Sequence, residues 1–417
     1  MLLTTLARYD STLTPRPYLA RSWEWSAGRT GLTFHLRTGV RWHDGQPTTA
    51  RDVSWTLEAA RDPATGYPRA NELAQLVSAR ATDDSTVVLA YRGPQSVFPD
   101  LLTDLAILPA HLLDSVPHAS LRQAQWNVAP VGNGPFRFVS HEPNRRWVFA
   151  RDSGFPQELG GSARLDRFIV VVVDEPTTKL AALVSGELDF AGIQPAHAAF
   201  VRRDPSLQVL SYPLLMTYGI VFNTRRPPFD RLPVRMALNR AIDRDELVAG
   251  YAYGFGTPAD GPVPPTAPHY LPVSTPTAPA VGLPRRIRFE LLTVGSGEAA
   301  LEQMLQARLR NAGFDLTIRQ LELSAFLARV YGSHDFEAAI LGTPGDLGLG
   351  YLAPLAALAG LDVPDDPTAA QRMFADSVPV AFLYHARGLQ GMNRRVHGVV
   401  MDLRGELPTV HDWWVSP

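Results

Sequence analysis

Two stretches of this chain pass through the same succession of hydrophobic periods, strand then helix then strand, which commits it to an α/β architecture. In the first, "RFIVVVVDE" (167–175) is a continuous β-branched run, the pattern of a strand buried on both faces. "PTTKLAALVSGELDFAGI" follows with a short helix that Gly186 stops and a second apolar strand from Leu188, so the stretch reads as a βαβ unit. In the second, "RIRFELLTV", a helix ending near Asn311 to Gly313, "FDLTIRQLEL", another helix and "FEAAILG" give three strands with two helices. Between them "VRMALNRAI" is an amphipathic helix, and Asp243 with Glu246 caps the helix after it. The proline-rich passage 256–284 continues neither period and reads as a long connector.

Residues 20–128 have a different texture, that of a small α+β module. "LTFHLR" alternates Leu32, Phe34 and Leu36 with polar neighbours, and "VRWHDGQP" reads as a second short strand around an Asp44-Gly45 turn. Thr49 with Asp52 forms a capping box ahead of Val53, Leu57 and Ala60 at helical spacing. "DSTVVLAYRG" alternates again, with Val87, Leu89 and Tyr91 on one face. A length of 417 residues exceeds what one core serves, so two lobes are expected. Ligands of open α/β sheets bind beyond the carboxyl ends of strands and at domain interfaces, which suits a cleft binder and a two-domain enzyme equally.

Composition removes several classes. A net charge of −2, with charges dispersed along the chain, creates no field to gather nucleic acid or an anionic surface. With no cysteine there are no disulfides, thiolate metal sites or cysteine nucleophile. No apolar run reaches a membrane-spanning length, and "MLLTTLARYD" is too short and polar for a signal-peptide core, so the chain as given is expected to be soluble. The eleven histidines show no HExxH and no ligand spacing with acids, so no metal site is expected. His43 beside Asp44 reads as a turn residue, and Ser185 lacks the glycines of a nucleophile elbow. Trp413 and Trp414 read as packing residues near the terminus. Gly295, Gly297 and Ala300, with Glu322 after the next strand, have the spacing of a dinucleotide loop; the same residues serve a loop that turns a strand into a helix.

Seven segments together resemble the family 5 extracellular solute-binding proteins of ABC importers, which include dipeptide-, oligopeptide- and nickel-binding members. They are "LARSWEWS", "LTFHLRTGVRWHDGQPTTARDV", "PVGNGPFRF", "LAALVSGELDF", "GIVFNTRRPPFDRLPVRMALNRAIDRDELV", "GTPADGPVPP" and "VHGVVMDLRGELPTVHDWW", in the family's order and spanning nearly the whole chain. The resemblance implies an α/β, two-lobe periplasmic-binding-protein type II fold with an additional small α+β subdomain in lobe I. Lobe I would take residues 1–218, with the small subdomain at about 20–128, lobe II residues 219–383, and residues 384–417 would return to lobe I. "YGIVFNT" and "PVAFLYH" would cross the hinge, and closure around a ligand would present it to a membrane permease. Two departures stand out. The family's strand and extended segment before the position matching Leu2 are absent from the sequence, which points to a trimmed or misplaced start, and lobe II looks shortened after Tyr351.

The resemblance also implies the ligand contacts. "LGTPGD" places Asp346 where dipeptide-binding members carry the aspartate that pairs with the ligand's amino terminus, with Thr343 and Gly345 beside it and no aromatic platform. Read by itself, Asp346 is equally a turn residue bonding its own backbone. Tyr218 at the hinge strand and Asn133 in "PVGNGP" complete the expected set, each equally readable as a structural residue, and "WHDG" is a structural signature in that family. The function implied is the substrate-binding component of an ABC importer, without catalysis or cofactor. Such a protein would take a peptide or peptide-like solute in an interlobe cleft and act as a monomer, periplasmic or extracellular and membrane-associated. A ligand-sensing domain of a transcriptional regulator is the alternative, and an NAD-dependent two-domain enzyme the third.

Overall fold

The computed structural model describes residues 1–10, 13–273, 286–295, 297–364, 366–405 and 407–416. The chain divides into two compact units, one of residues 1–178, 394–400 and 407–417, the other of residues 179–393 and 401–406. No described helix is long and apolar enough to cross a membrane.

The first unit contains β1 (Ala20–Trp25) and β2 (Gly31–Leu36), then α1 (Ala50–Arg61), β3 (Leu76–Asp83) and β4 (Thr86–Tyr91). The strands form an antiparallel sheet in the order β1-β2-β4-β3, with Leu32 opposite Leu89 and Phe34 opposite Val87. Their alternation sends Leu32, Phe34, Leu36, Val87 and Leu89 into a core closed by Trp42 and by Val53, Leu57 and Ala60 of α1. The second hairpin strand expected around Asp44-Gly45 shrinks to one bridge between Arg41 and Pro47. Pro47 has no N–H for a ladder, and the Thr49 cap begins two residues later.

The charged residue that α1 buries explains the "WHDG…T..D" stretch. Asp52, only 4% exposed, closes the capping box: Oδ2 accepts the Thr49 N–H at 2.8 Å and the Trp42 indole N–H at 3.3 Å. Its Oδ1 accepts the Ala110 N–H at 2.9 Å. One carboxylate therefore ties the turn, the helix start and a segment 58 residues away. His43 donates from Nε2 to the Gly134 carbonyl at 2.9 Å, and burial pushes its pKa below the usual imidazole range. Asp44 faces His111 at 2.8 Å. Both are turn-anchoring contacts.

β5 (Phe136–Glu142), β6 (Arg146–Arg151) and β7 (Arg167–Val171) form a three-stranded antiparallel sheet in that order. β7 departs from the expectation raised by its sequence. The β-branched run was expected to be buried on both faces, yet Ile169, Val170, Val171 and Val172 are each 40–47% exposed. Such a run favours extended backbone and tolerates double burial, but burial needs neighbours. Among the described residues β7 has a strand on one side only. Nor is the stretch a βαβ unit. α2 (Pro176–Ser185) ends at Gly186, whose φ is +81°, and leads to β8 (Phe190–Gly192) in a different sheet from β7. Period identifies elements; it does not name their hydrogen-bond partners.

The second unit is built on a seven-stranded mixed sheet. Its members are β8, β9 (Leu207–Phe222), β10 (Gly256–Pro258), β11 (Ile287–Val294), β12 (Phe314–Leu321), β13 (Ala338–Pro344) and β14 (Val380–Asn393). The order is β8-β14-β9-β13-β11-β12, with β10 on β14. β11 runs parallel to β12 and β13, with helix α3 (Ala300–Asn311) connecting β11 to β12, as the periodicity predicts. Alternation covers both faces: Ile220, Phe222, Leu291 and Ile340 enter one core, Val221, Leu292 and Ala339 the other. The proline-rich passage contributes one strand after all, β10, whose Thr257 pairs with His385 at an edge position that tolerates Pro258. Residues 274–285 of that passage lie outside the described residues. Strand β9 runs unbroken through residue 218, and the chain passes between the two compact units at 178/179, 393/394, 400/401 and 406/407.

Candidate ligand-binding site

Cross-strand register sorts the residues around the end of β13. Tyr218 of β9 pairs with Gly342 and Tyr384, while its neighbour Thr217 pairs with Thr343 and His385. Successive side chains point to opposite faces, so Tyr218 and Thr343 lie on different sides of the sheet. On the Tyr218 side, its ring stacks on Tyr384 with centroids 4.9 Å apart at 8°, and Tyr251 meets Tyr384 edge-on at 6.2 Å. Gly342 makes room for this, because a Cβ there would stand 3.0 Å from the Tyr218 ring. Burial raises all three phenols above their ordinary pKa, so they remain neutral.

The Thr343 side carries a polar relay. Thr217 donates its hydroxyl proton to the Pro262 carbonyl at 3.2 Å; with that proton spent, His385 Nδ1 carries a hydrogen and donates to Thr217 Oγ1 at 2.9 Å. Thr217 and His385 are 4% and 5% exposed, and burial lowers the imidazole pKa to about 4. Past Thr343 the backbone stays paired, with the Gly345 N–H donating to the Leu215 carbonyl at 2.8 Å. The chain then folds over Asp346, whose Oδ1 accepts the Gly350 N–H and Oδ2 the Tyr351 N–H, each at 2.9 Å. Helix α4 (Leu352–Ala359) follows directly. The Tyr351 hydroxyl donates to the Pro262 carbonyl at 2.9 Å, so one proline oxygen receives both Tyr351 and Thr217.

Thr343, Gly345 and Asp346 thus sit together, on one strand end and its loop. Asp346 does bond its own backbone; one N–H per oxygen leaves further lone pairs on each. Tyr218 belongs to the aromatic stack on the opposite face. Asn133 lies in the first unit and is 1% exposed, with Oδ1 accepting the Thr4 N–H at 2.9 Å and Nδ2 donating to Thr48 Oγ1 at 3.2 Å. The glycines beside it are required by close approach, since a Cβ on Gly132 would lie 2.2 Å from the Leu2 carbonyl oxygen. Sequence reasoning missed Thr217, His385, Pro262 and Tyr351. The one available signal was a histidine inside the apolar strand "VAFLYHARG". At the glycine loop, Gly295 has φ of +150° and α3 begins at Ala300; Ser296 is outside the described residues. Among the described residues, no group of three or more His, Asp or Glu side chains is arranged to hold a metal ion.

Burial of the His385 imidazole makes stability depend on pH. His385 is depressed in the folded state relative to an unfolded value near 6.5, so the unfolded chain binds the extra proton first. Its contribution is complete above about pH 6.5 and declines as pH falls toward 4, by up to about 3 kcal/mol. Urea midpoints at pH 7, 5.5 and 4.5 are expected to fall in step, and His385→Gln to flatten that slope. An equal slope in the variant would assign the acid sensitivity elsewhere.

Several known proteins resemble this chain in sequence or in fold. The sequence model described as "Bacterial extracellular solute-binding proteins, family 5 Middle" matches residues 14–351. A Brucella ovis protein described as an ABC transporter peptide-binding protein is 31% identical over 243 residues, covering 58% of this chain and 45% of its own length. The glutathione-binding protein GsiB of Pectobacterium atrosepticum is 31% identical over 247 residues, covering 59% of this chain and 47% of its own. The chain thus matches about half the length of these curated relatives. Among solved structures, the oligopeptide-binding protein AppA of Bacillus subtilis, in complex with a nonapeptide, superposes with a TM-score of 0.79 at 21% identity. That alignment covers 100% of this chain and 93% of AppA, and at such identity it establishes the fold.

Proposed function

Because this chain belongs to the bacterial extracellular solute-binding proteins of family 5, we propose that it is the substrate-binding component of an ABC importer, taking up a peptide or peptide-like solute. The family match over residues 14–351 carries the reading, and the relatives named for peptide and glutathione binding support the ligand class. Within the second unit, the Asp346 loop supplies a carboxylate of fixed orientation for the ligand's ammonium group, flanked by Thr343 and Gly345. The protein works outside the cytoplasmic membrane, associated with it, and hands its ligand to the permease without a catalytic step.

A ligand that binds only the folded state raises the melting temperature, by about 2.7 kcal/mol of added stability at a hundredfold excess over Kd. Mass spectrometry of the solutes released on denaturation is expected to find peptides, and the same peptides added back to raise the midpoint by several degrees. NAD and NADP are expected to leave it unchanged. A midpoint raised by dinucleotide and unmoved by any peptide would overturn the reading in favour of an enzyme.

A further inference from the structure

Asp346 stands on a loop, and a loop carboxylate serves as an anchor only if something holds it in place. The candidate holder is Tyr351. Its N–H donates to Asp346 Oδ2 at 2.9 Å, its hydroxyl donates to the Pro262 carbonyl at 2.9 Å, and its ring lies 3.3 Å from the position a Gly345 Cβ would take. One residue therefore touches the loop before Asp346, the Asp346 side chain and a separate segment 89 residues away. Pro262 is itself fixed from the sheet by the Thr217 hydroxyl, which His385 orients in turn. Proline has no N–H, and this carbonyl has two lone pairs. Both are taken, one from the sheet and one from the loop.

We infer that Tyr351 is the positioning residue of the ligand site: through the Pro262 carbonyl it locks the Asp346 loop onto the β9–β14 sheet, so that the carboxylate is already oriented when an ammonium group arrives. This rests on the reading of Asp346 as the ammonium anchor. Preorganisation is the physical reason for an effect on affinity, because a loop fixed beforehand spares the ordering entropy that binding would otherwise cost. The Tyr351 ring is largely buried and Gly345 leaves just enough space beneath it, so Tyr351→Phe keeps the packing and removes only the hydroxyl.

Two measurements on the whole chain test the role. The first needs no ligand: amide hydrogen exchange at positions 350 and 351 reports how often the bonds to Asp346 open. In Tyr351→Phe these two amides are expected to exchange about tenfold faster, while amides in β11 and β12 keep their rates. The second uses a defined mixture of di- to pentapeptides and the same mixture N-acetylated, with affinities from native mass spectrometry. Wild type is expected to prefer the free amines strongly, and Tyr351→Phe to lose about three- to tenfold of that preference, the range of one hydrogen bond. A general weakening of the fold would lower both mixtures alike, leave the ratio intact and so count against the role.

Unchanged exchange and an unchanged ratio in Tyr351→Phe, with wild type still preferring free amines, would overturn the inference and leave the anchor standing. Equal binding of both mixtures by wild type would remove the anchor and the inference with it.

Discussion

Acetylating the amino terminus of a bound peptide is expected to weaken its affinity for the wild-type chain about a hundredfold, and for Asp346→Asn hardly at all. The acetyl group removes the ammonium, and losing a charge-assisted contact of this kind costs about 3 kcal/mol, about two orders of magnitude in Kd. The loop geometry decides how the variant behaves. Asp346 accepts a different N–H on each oxygen, from Gly350 and from Tyr351, whereas an asparagine offers one acceptor and would set its NH2 against the other donor. Asp346→Asn therefore loosens the loop as well as removing the charge, and its loss of affinity for the free peptide is expected to exceed that caused by acetylation. The double cycle by calorimetry, two proteins against two ligands, separates these contributions. If the acetylated peptide binds wild type within about threefold of the free one, Asp346 is a turn residue and nothing more.

Asp52→Ala is expected to be the most damaging single substitution in the first unit, at about 4 kcal/mol. It would leave four donors without this partner, the indole N–H of Trp42, the hydroxyl of Thr49 and the backbone N–H groups of Thr49 and Ala110. It would also remove the capping box that starts α1, worth about 1 kcal/mol by itself. Because Val53, Leu57 and Ala60 enter the core from that helix, the loss is expected to reach the four-stranded sheet. Asp52→Asn, which keeps one acceptor, should fall about midway. Chemical denaturation of the three proteins measures the order, and a loss below about 1 kcal/mol in Asp52→Ala would mean that Trp42 and its apolar neighbours hold the helix start unaided.

Much of this was written in local pattern. Thr49 and Asp52 declared a helix start, and the helix is there, because a cap needs only residues three apart to find each other. The β11–α3–β12 succession followed from its periods, since each element has a face that one side of a sheet can bury. The order of seven family-like segments pointed to the fold class, and Asp346, Thr343 and Gly345 were picked out together by their adjacency in the chain.

What the chain by itself determined, then, were the quantities set by neighbours a few residues apart: the kinds of element, their caps and the turn at Asp346. What only the tertiary structure decided were matters of pairing between distant residues. The valines of β7 are exposed because no strand among the described residues covers that edge, a fact no β-branched run can state about itself. Tyr218 and Thr343 part company because the register of β9 against β13 assigns them opposite faces, and a shift of one residue would have reversed it. The Pro262 carbonyl, which sequence reasoning treated as part of a connector, joins Tyr351 to Thr217 and His385 because a carbonyl with two lone pairs accepts hydroxyls from any segment the fold brings within about 3 Å.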